Sequence, residues 1–103
     1  MRCPFCQIAA RQLPATIIYE NQWTMAILPK NPAVDGHLLV IPKQHVTSIL
    51  ACDEEIWVQV TKTAKKVATD CVKSGNFEGI NFLSAHGAAA QQSVNHLHIH
   101  LIP

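Results

Sequence analysis

The chain has 103 residues, of which 49% are hydrophobic and 15% charged, and a formal net charge of +1. One domain of this length buries roughly 60–70% of the surface its unfolded chain exposes, and the near-neutral charge gives no electrostatic case for nucleic acid or an acidic membrane. No apolar run approaches a membrane span, Met1-Arg2-Cys3-Pro4 does not open a signal peptide, and four cysteines without a secretory signal point to a reducing cytoplasm.

Cys3-Pro4-Phe5-Cys6 has the spacing of zinc ligands, because a two-residue gap lets both thiolates face one ion. A redox dithiol or two unrelated thiols would share that spacing, and one pair is only half a tetrahedral site. Phe5, Ile8 and Leu13 predict a short helical segment stopped at Pro14. Thr16 to Glu20 and Trp23 to Leu28 are rich in β-branched and aromatic residues and read as strands, with Asn21-Gln22 turning between them. Pro29-Lys30-Asn31-Pro32 and Asp35-Gly36 are loop signals, and His37-Leu38-Leu39-Val40-Ile41 is a buried strand ending at Pro42. Taken alone, His37 and His45 are ordinary structural histidines.

The central helix runs from an Asp53 N-cap, through Glu54 and Glu55 in its first turn, to Ser74-Gly75-Asn76. Ile56, Val60, Ala64, Val67 and Cys71 recur at helical spacing, Trp57, Ala68 and Val72 widen the stripe, and Gln59, Lys62, Lys66, Thr69 and Lys73 form a polar face. The wide stripe can serve the sheet and a second subunit. Cys52 and Cys71 read as inert thiols. Gly79 to Ser84 is a further strand, and His86 to Gln92 is a small-residue loop whose amides suit phosphate oxygens, or merely a tight connection.

The last stretch, Gln92 to Pro103, carries His96, His98 and His100 alternating with Leu97, Ile99 and Leu101. On a strand the imidazoles share one face, lining a surface or pocket, and the aliphatics face a core. Same-face neighbours are about 6.6–6.8 Å apart, too far for ring-to-ring hydrogen bonds, so a metal, a substrate or other side chains must fill the gaps. A metal held by the row itself would be a catalytic centre, since imidazoles suit zinc, copper or iron.

H-x-H-x-H flanked by aliphatics and preceded by Gln-Ser-Val resembles the signature of the histidine triad (HIT) family. The Cys-x-x-Cys, the run Asn31 to His45 (NPAVDGHLLVIPKQH), the long helix and the terminal motif follow in the family's order. The resemblance is strongest to the Hint branch of zinc-containing type, which hydrolyses nucleoside phosphoramidates. It implies an α+β fold, with an antiparallel sheet of about five strands and one long helix, forming a single HIT domain over 1–103 that assembles as a homodimer. It implies a nucleotidyl-histidine intermediate on His98, with Ser93 at the bridging or leaving atom and His100 and His37 supporting the phosphate or the nucleophile. Gln92, Ser93 and Val94, with His98 and His100, would contact phosphate. One structural zinc per chain would be held by Cys3, Cys6, His45 and His96, and no catalytic metal is expected. The partner is a purine nucleoside monophosphate or phosphoramidate; the alternative is a non-catalytic nucleotide-binding module with the same zinc.

The sequence departs from the family at three positions. Pro29 replaces an acidic residue that binds ribose, Ala85 replaces an asparagine, and Gln91 replaces a glycine in the phosphate-facing backbone. The chain ends at Pro103, where many relatives continue with a tail that helps shape substrate choice. These departures imply that phosphorus chemistry is kept while the sugar is read loosely.

Overall fold

A computed structural model describes residues 3–75 and 77–103. The reading of Asn76 at the helix end, and of Met1 and Arg2 in the opening segment, lies outside the described residues. The first helix, α1, spans Pro4–Ala9, and two features of its sequence start it. Pro4 has the fixed φ of a first helical position, and the Cys3 sulfur caps the turn by accepting the Cys6 N–H at 3.4 Å. The helix stops short of the expected end: Arg11 turns left-handed at φ 63°, and the amides of Gln12 and Leu13 both fold back to the Gln7 carbonyl. Leu13 is therefore exposed rather than part of a helical stripe.

Five strands follow: β1 (Ile17–Glu20), β2 (Thr24–Ile27), β3 (Leu38–Pro42), β4 (Asn81–Leu83) and β5 (Ile99–Ile102). They form one antiparallel sheet in the order β1-β2-β3-β5-β4. The first hairpin is closed by Asn21, whose side-chain oxygen accepts the N–H groups of Trp23 and Thr24 and the Thr24 hydroxyl. Trp23 belongs to that turn and not to β2. Gly36, at φ 87°, brings the loop before β3 against Phe77 so closely that a Cβ would overlap its ring.

The long helix α2 (Glu54–Lys73) has Asp53 as its N-cap, accepting the Ile56 N–H at 2.9 Å. It ends where Gly75 turns to φ 80°. Its stripe of Val60, Ala64, Val67 and Ala68 packs on Ala26, Leu38, Val40, Leu97, Ile99 and Leu101. The intervening residues Met25, Ile27, Leu39 and Ile41 face the other way, onto Cys3, Phe5 and Ile8 around α1. Alternation along the strands thus builds two cores, one on each face of the sheet. No helix among the described residues is long and apolar enough to cross a membrane.

Candidate active site and metal centre

Only His100 of the histidine row lies within β5; His96 and His98 approach it through an irregular segment. The alternation nevertheless continues, because the Leu97 amide is anchored on the Val46 carbonyl at 2.7 Å and Leu97 enters the core beneath α2. The imidazoles consequently face the α1 side, with His100 paired opposite Leu39. They do not line an open surface: His96 and His98 are 0% and 4% exposed. Side chains fill the gaps between them. Phe5 sets its ring at 5.6 Å from His96 and 5.2 Å from His98, and His98 meets His100 edge-on at 4.9 Å.

Cys3, Cys6, His45 and His96 come together from three places in the chain, each residue offering one donor atom, all within 4.8 Å of one another. The Nε2 of His96 faces the Pro42 carbonyl at 2.8 Å. A carbonyl only accepts, so that nitrogen carries the proton and Nδ1 turns its lone pair to the sulfurs of Cys3 (3.3 Å) and Cys6 (3.5 Å). Burial pushes His96 down to about 4, which keeps the ring neutral and able to ligate. His45 turns its Nδ1 to Cys6 at 3.3 Å and to the His96 Nδ1 at 3.2 Å. Two thiols and two imidazole Nδ1 atoms gathered this closely fit a tetrahedral metal ion. The cluster uses His96 alone of the terminal row.

Hydrogen-bond partners fix the remaining protons in the same way. His98 Nδ1 lies 2.8 Å from the His96 carbonyl and must donate to it, leaving Nε2 as a free lone pair. Burial lowers its proton affinity, so this ring is neutral. The Ala33 N–H donates to His37 Nδ1 at 2.9 Å, so neutral His37 carries its proton on Nε2, which faces His100 Nδ1 at 2.9 Å. His100 accepts there and holds its own proton on Nε2. Burial lowers both rings, and for His100 the neighbouring His98 and His37 add to the effect. The site therefore offers one imidazole as a nucleophile or base and another as a hydrogen-bond donor.

The loop before the row is braced from within. The Gln92 amide donates to the carbonyls of Thr47 (2.6 Å) and Val94 (2.9 Å) and accepts the Gly87 N–H, while its backbone N–H binds the Gly87 carbonyl. Gln92 thus spends its polar groups on closing the loop and tying it to Thr47. Ser93 is exposed and hydrogen-bonds none of the imidazoles, and Val94 packs against the α1-side core. Gln91 keeps a left-handed backbone at φ 67°, the conformation a glycine would take, so the loop path survives its replacement. Sequence reasoning missed Ser84, whose hydroxyl donates to the His98 carbonyl at 2.8 Å, and the Ser48–His86 pair at 2.6 Å. It also missed Ala33, which acts through its backbone; no side-chain pattern could have marked it. A cleft of about 580 Å³ between the start of α2 and the Pro42–Gln44 segment contains none of the imidazoles.

Residues 10–103 match the HIT domain family. A HIT-like protein of Borreliella burgdorferi is 43% identical over 103 residues, covering 98% of this chain and 74% of that one. An adenosine 5′-monophosphoramidase of Saccharomyces cerevisiae is 33% identical over 101 residues, covering 98% of this chain and 61% of that enzyme. Among solved structures, a Zn-bound histidine triad family protein from Mycobacterium smegmatis superposes with a TM-score of 0.93 at 33% identity, over 100% of this chain and 75% of that one.

Proposed function

This chain belongs to the HIT domain family, and we propose that it is a hydrolase cleaving purine nucleoside phosphoramidates or related nucleoside phosphate derivatives through a nucleotidyl-histidine on His98. The observation that carries this reading is the fixed tautomer of His98, with Nδ1–H held by the His96 carbonyl and Nε2 unprotonated. That nitrogen attacks phosphorus, a P–Nε2 bond forms, and the P–N bond to the leaving amine breaks as the amine takes up a proton from solvent water. Water then cleaves the nucleotidyl-imidazole bond, releasing the nucleoside monophosphate. The His100 Nε2–H and the backbone amides of Ser93 and Val94 would bind the non-bridging oxygens, where charge develops. His37 supports His100, and the Ser93 hydroxyl serves the leaving atom.

Cys3, Cys6, His45 and His96 would hold one structural zinc, whose chemistry is to crosslink the N-terminal segment to the histidine row. Residues 1–103 constitute one HIT domain, and a homodimer is supported by the open edge of β4, where Phe82 and Leu83 are 52% and 56% exposed. All four thiols are free, which supports a reducing compartment, the cytoplasm. Pro29 and Ala85 favour loose reading of the sugar. Ala85→Asn with Pro29→Asp should then lower KM for adenosine 5′-phosphoramidate, and an unchanged KM would remove that idea.

The same two replacements favour the second reading, a nucleotide-binding module without catalysis. Intact-protein mass spectrometry after brief mixing with adenosine 5′-phosphoramidate separates the two. One nucleotidyl group added to wild type and absent from His98→Gly is the expected result. Binding without adduct or turnover would install the non-catalytic reading instead. Metal counting addresses the third possibility: a second ion lost with His98→Ala would mean that the histidine row itself holds a metal.

A further inference from the structure

Resting on the hydrolase reading, we propose that Phe5 is a positioning residue which makes the aim of His98 depend on closure of the Cys3, Cys6, His45 and His96 set. Phe5 lies between two of the four donors in the chain, within the first turn of α1. Its ring is 7% exposed and touches two imidazoles edge-on, at interplanar angles of 88° to His96 and 69° to His98.

The position of that ring follows from the backbone that carries it, because phenylalanine has only two side-chain torsions. A six-residue helix does not hold its shape unaided. Its start is fixed at both thiols instead, Cys3 against His96 and Cys6 against His45, each at 3.3 Å. Drawing the four donors onto one ion therefore settles α1, and with it Phe5.

His98 needs that restraint. Among the described residues its ring has a single polar tether, the Nδ1–H to the His96 carbonyl. One hydrogen bond leaves the ring free to tilt about that direction and, once broken, to flip. Phe5 closes one edge of the ring while His100 stands against it at 4.9 Å. The His96 carbonyl belongs to a residue of the cluster as well, so two of the three restraints on His98, its hydrogen bond and Phe5, depend on the cluster, and His100 is the third.

The test reads the imidazole directly. In zinc-loaded wild type the imidazole nitrogen chemical shifts of His98 should report a single Nδ1–H tautomer, and stripping zinc should average them between tautomers. Phe5→Leu and Phe5→Met should each bind one zinc within about threefold of the wild-type affinity yet show averaged shifts while loaded. With adenosine 5′-phosphoramidate, kcat should fall about ten- to hundredfold with KM unchanged. Ile8→Ala, which thins the packing one turn further along the same helix, should keep the wild-type signal.

The proposal is overturned if the loaded Phe5 variants keep wild-type shifts, if zinc removal leaves the wild-type shifts unchanged, or if Ile8→Ala averages them equally. Failure of both Phe5 variants to bind zinc also overturns it, because Phe5 would then be scaffold for the metal site. The tautomer needs no turnover to be read. A Phe5-dependent signal without phosphoramidate cleavage would sink the hydrolase reading alone.

Discussion

Gln91 holds a φ of 67° that glycine adopts without strain and a side chain with a Cβ does not. Gln91→Gly should therefore raise stability by about 0.5–1 kcal/mol in urea unfolding, with the loop and its chemistry unchanged. A loss of stability would mean that the Gln91 side chain makes a compensating contact. Ser84 acts in the opposite sense, since its hydroxyl satisfies the buried carbonyl of His98. Ser84→Ala should cost about 1 kcal/mol and lower kcat more than it raises KM. Equal changes in the two constants would place Ser84 outside the alignment of His98. Both residues carry their meaning in backbone geometry, which is why no role for Ser84 was legible in the chain and Gln91 was marked only by what it replaced.

Among the elements, α2 is the best specified locally. Its N-cap, acidic first turn and apolar stripe agree with its packing, and Asp53→Ala should cost about 1 kcal/mol, read as a lower urea midpoint. α1 is specified by its contacts instead. Its apolar residues Phe5 and Ile8 were legible, whereas its end at Ala9 depended on Arg11 entering a region few side chains occupy. At the opposite edge, β4 is a three-residue strand with its large apolar side chains in solvent. If it is the dimer edge, Leu83→Lys should shift the protein from dimer to monomer in sedimentation, and a variant that sediments like wild type would move the interface elsewhere.

For the molecule as a whole, metal and proton would act on different imidazoles, His45 and His96 for the ion and His37 and His100 for acid. Removing zinc from Cys3, Cys6, His45 and His96 should lower Tm by about 10 °C or more, and Cys3→Ala should lose the ion by atomic absorption. A melt indifferent to chelation would contradict a structural metal. Acid should act through His37 and His100, which burial holds neutral in the folded chain. Unfolded, they take up protons near the ordinary histidine value of about 6.5, whereas the folded state resists protonation to lower pH. The unfolded chain therefore binds more protons below about 6.5, so stability is full above that value and falls as pH drops through the folded values. Melts of His37→Gln should show a shallower loss between roughly pH 7 and pH 5 than wild type; parallel curves would remove His37 from the cause.

The β-branched and aromatic composition of β2, the apolar run of β3, the alternation of the terminal segment and the stripe of α2 were enough to determine these strands, the long helix and the core-facing side of the helix and the terminal segment. Those are local periodicities, written in neighbouring residues. The spacing of His96, His98 and His100 likewise established that three rings share one side. The sequence could not say that this side is roofed by α1, because contact between Phe5 and His98 joins residues 93 positions apart. Nor could it assign protons. The tautomers of His96, His98 and His37 depend on the carbonyls of Pro42 and His96 and the amide of Ala33, groups present at nearly every position of any chain. Only the tertiary structure decides which of them comes within hydrogen-bond reach of an imidazole, and that decision separates a lone pair turned to two thiols, an unprotonated Nε2 and an N–H donor among chemically identical side chains.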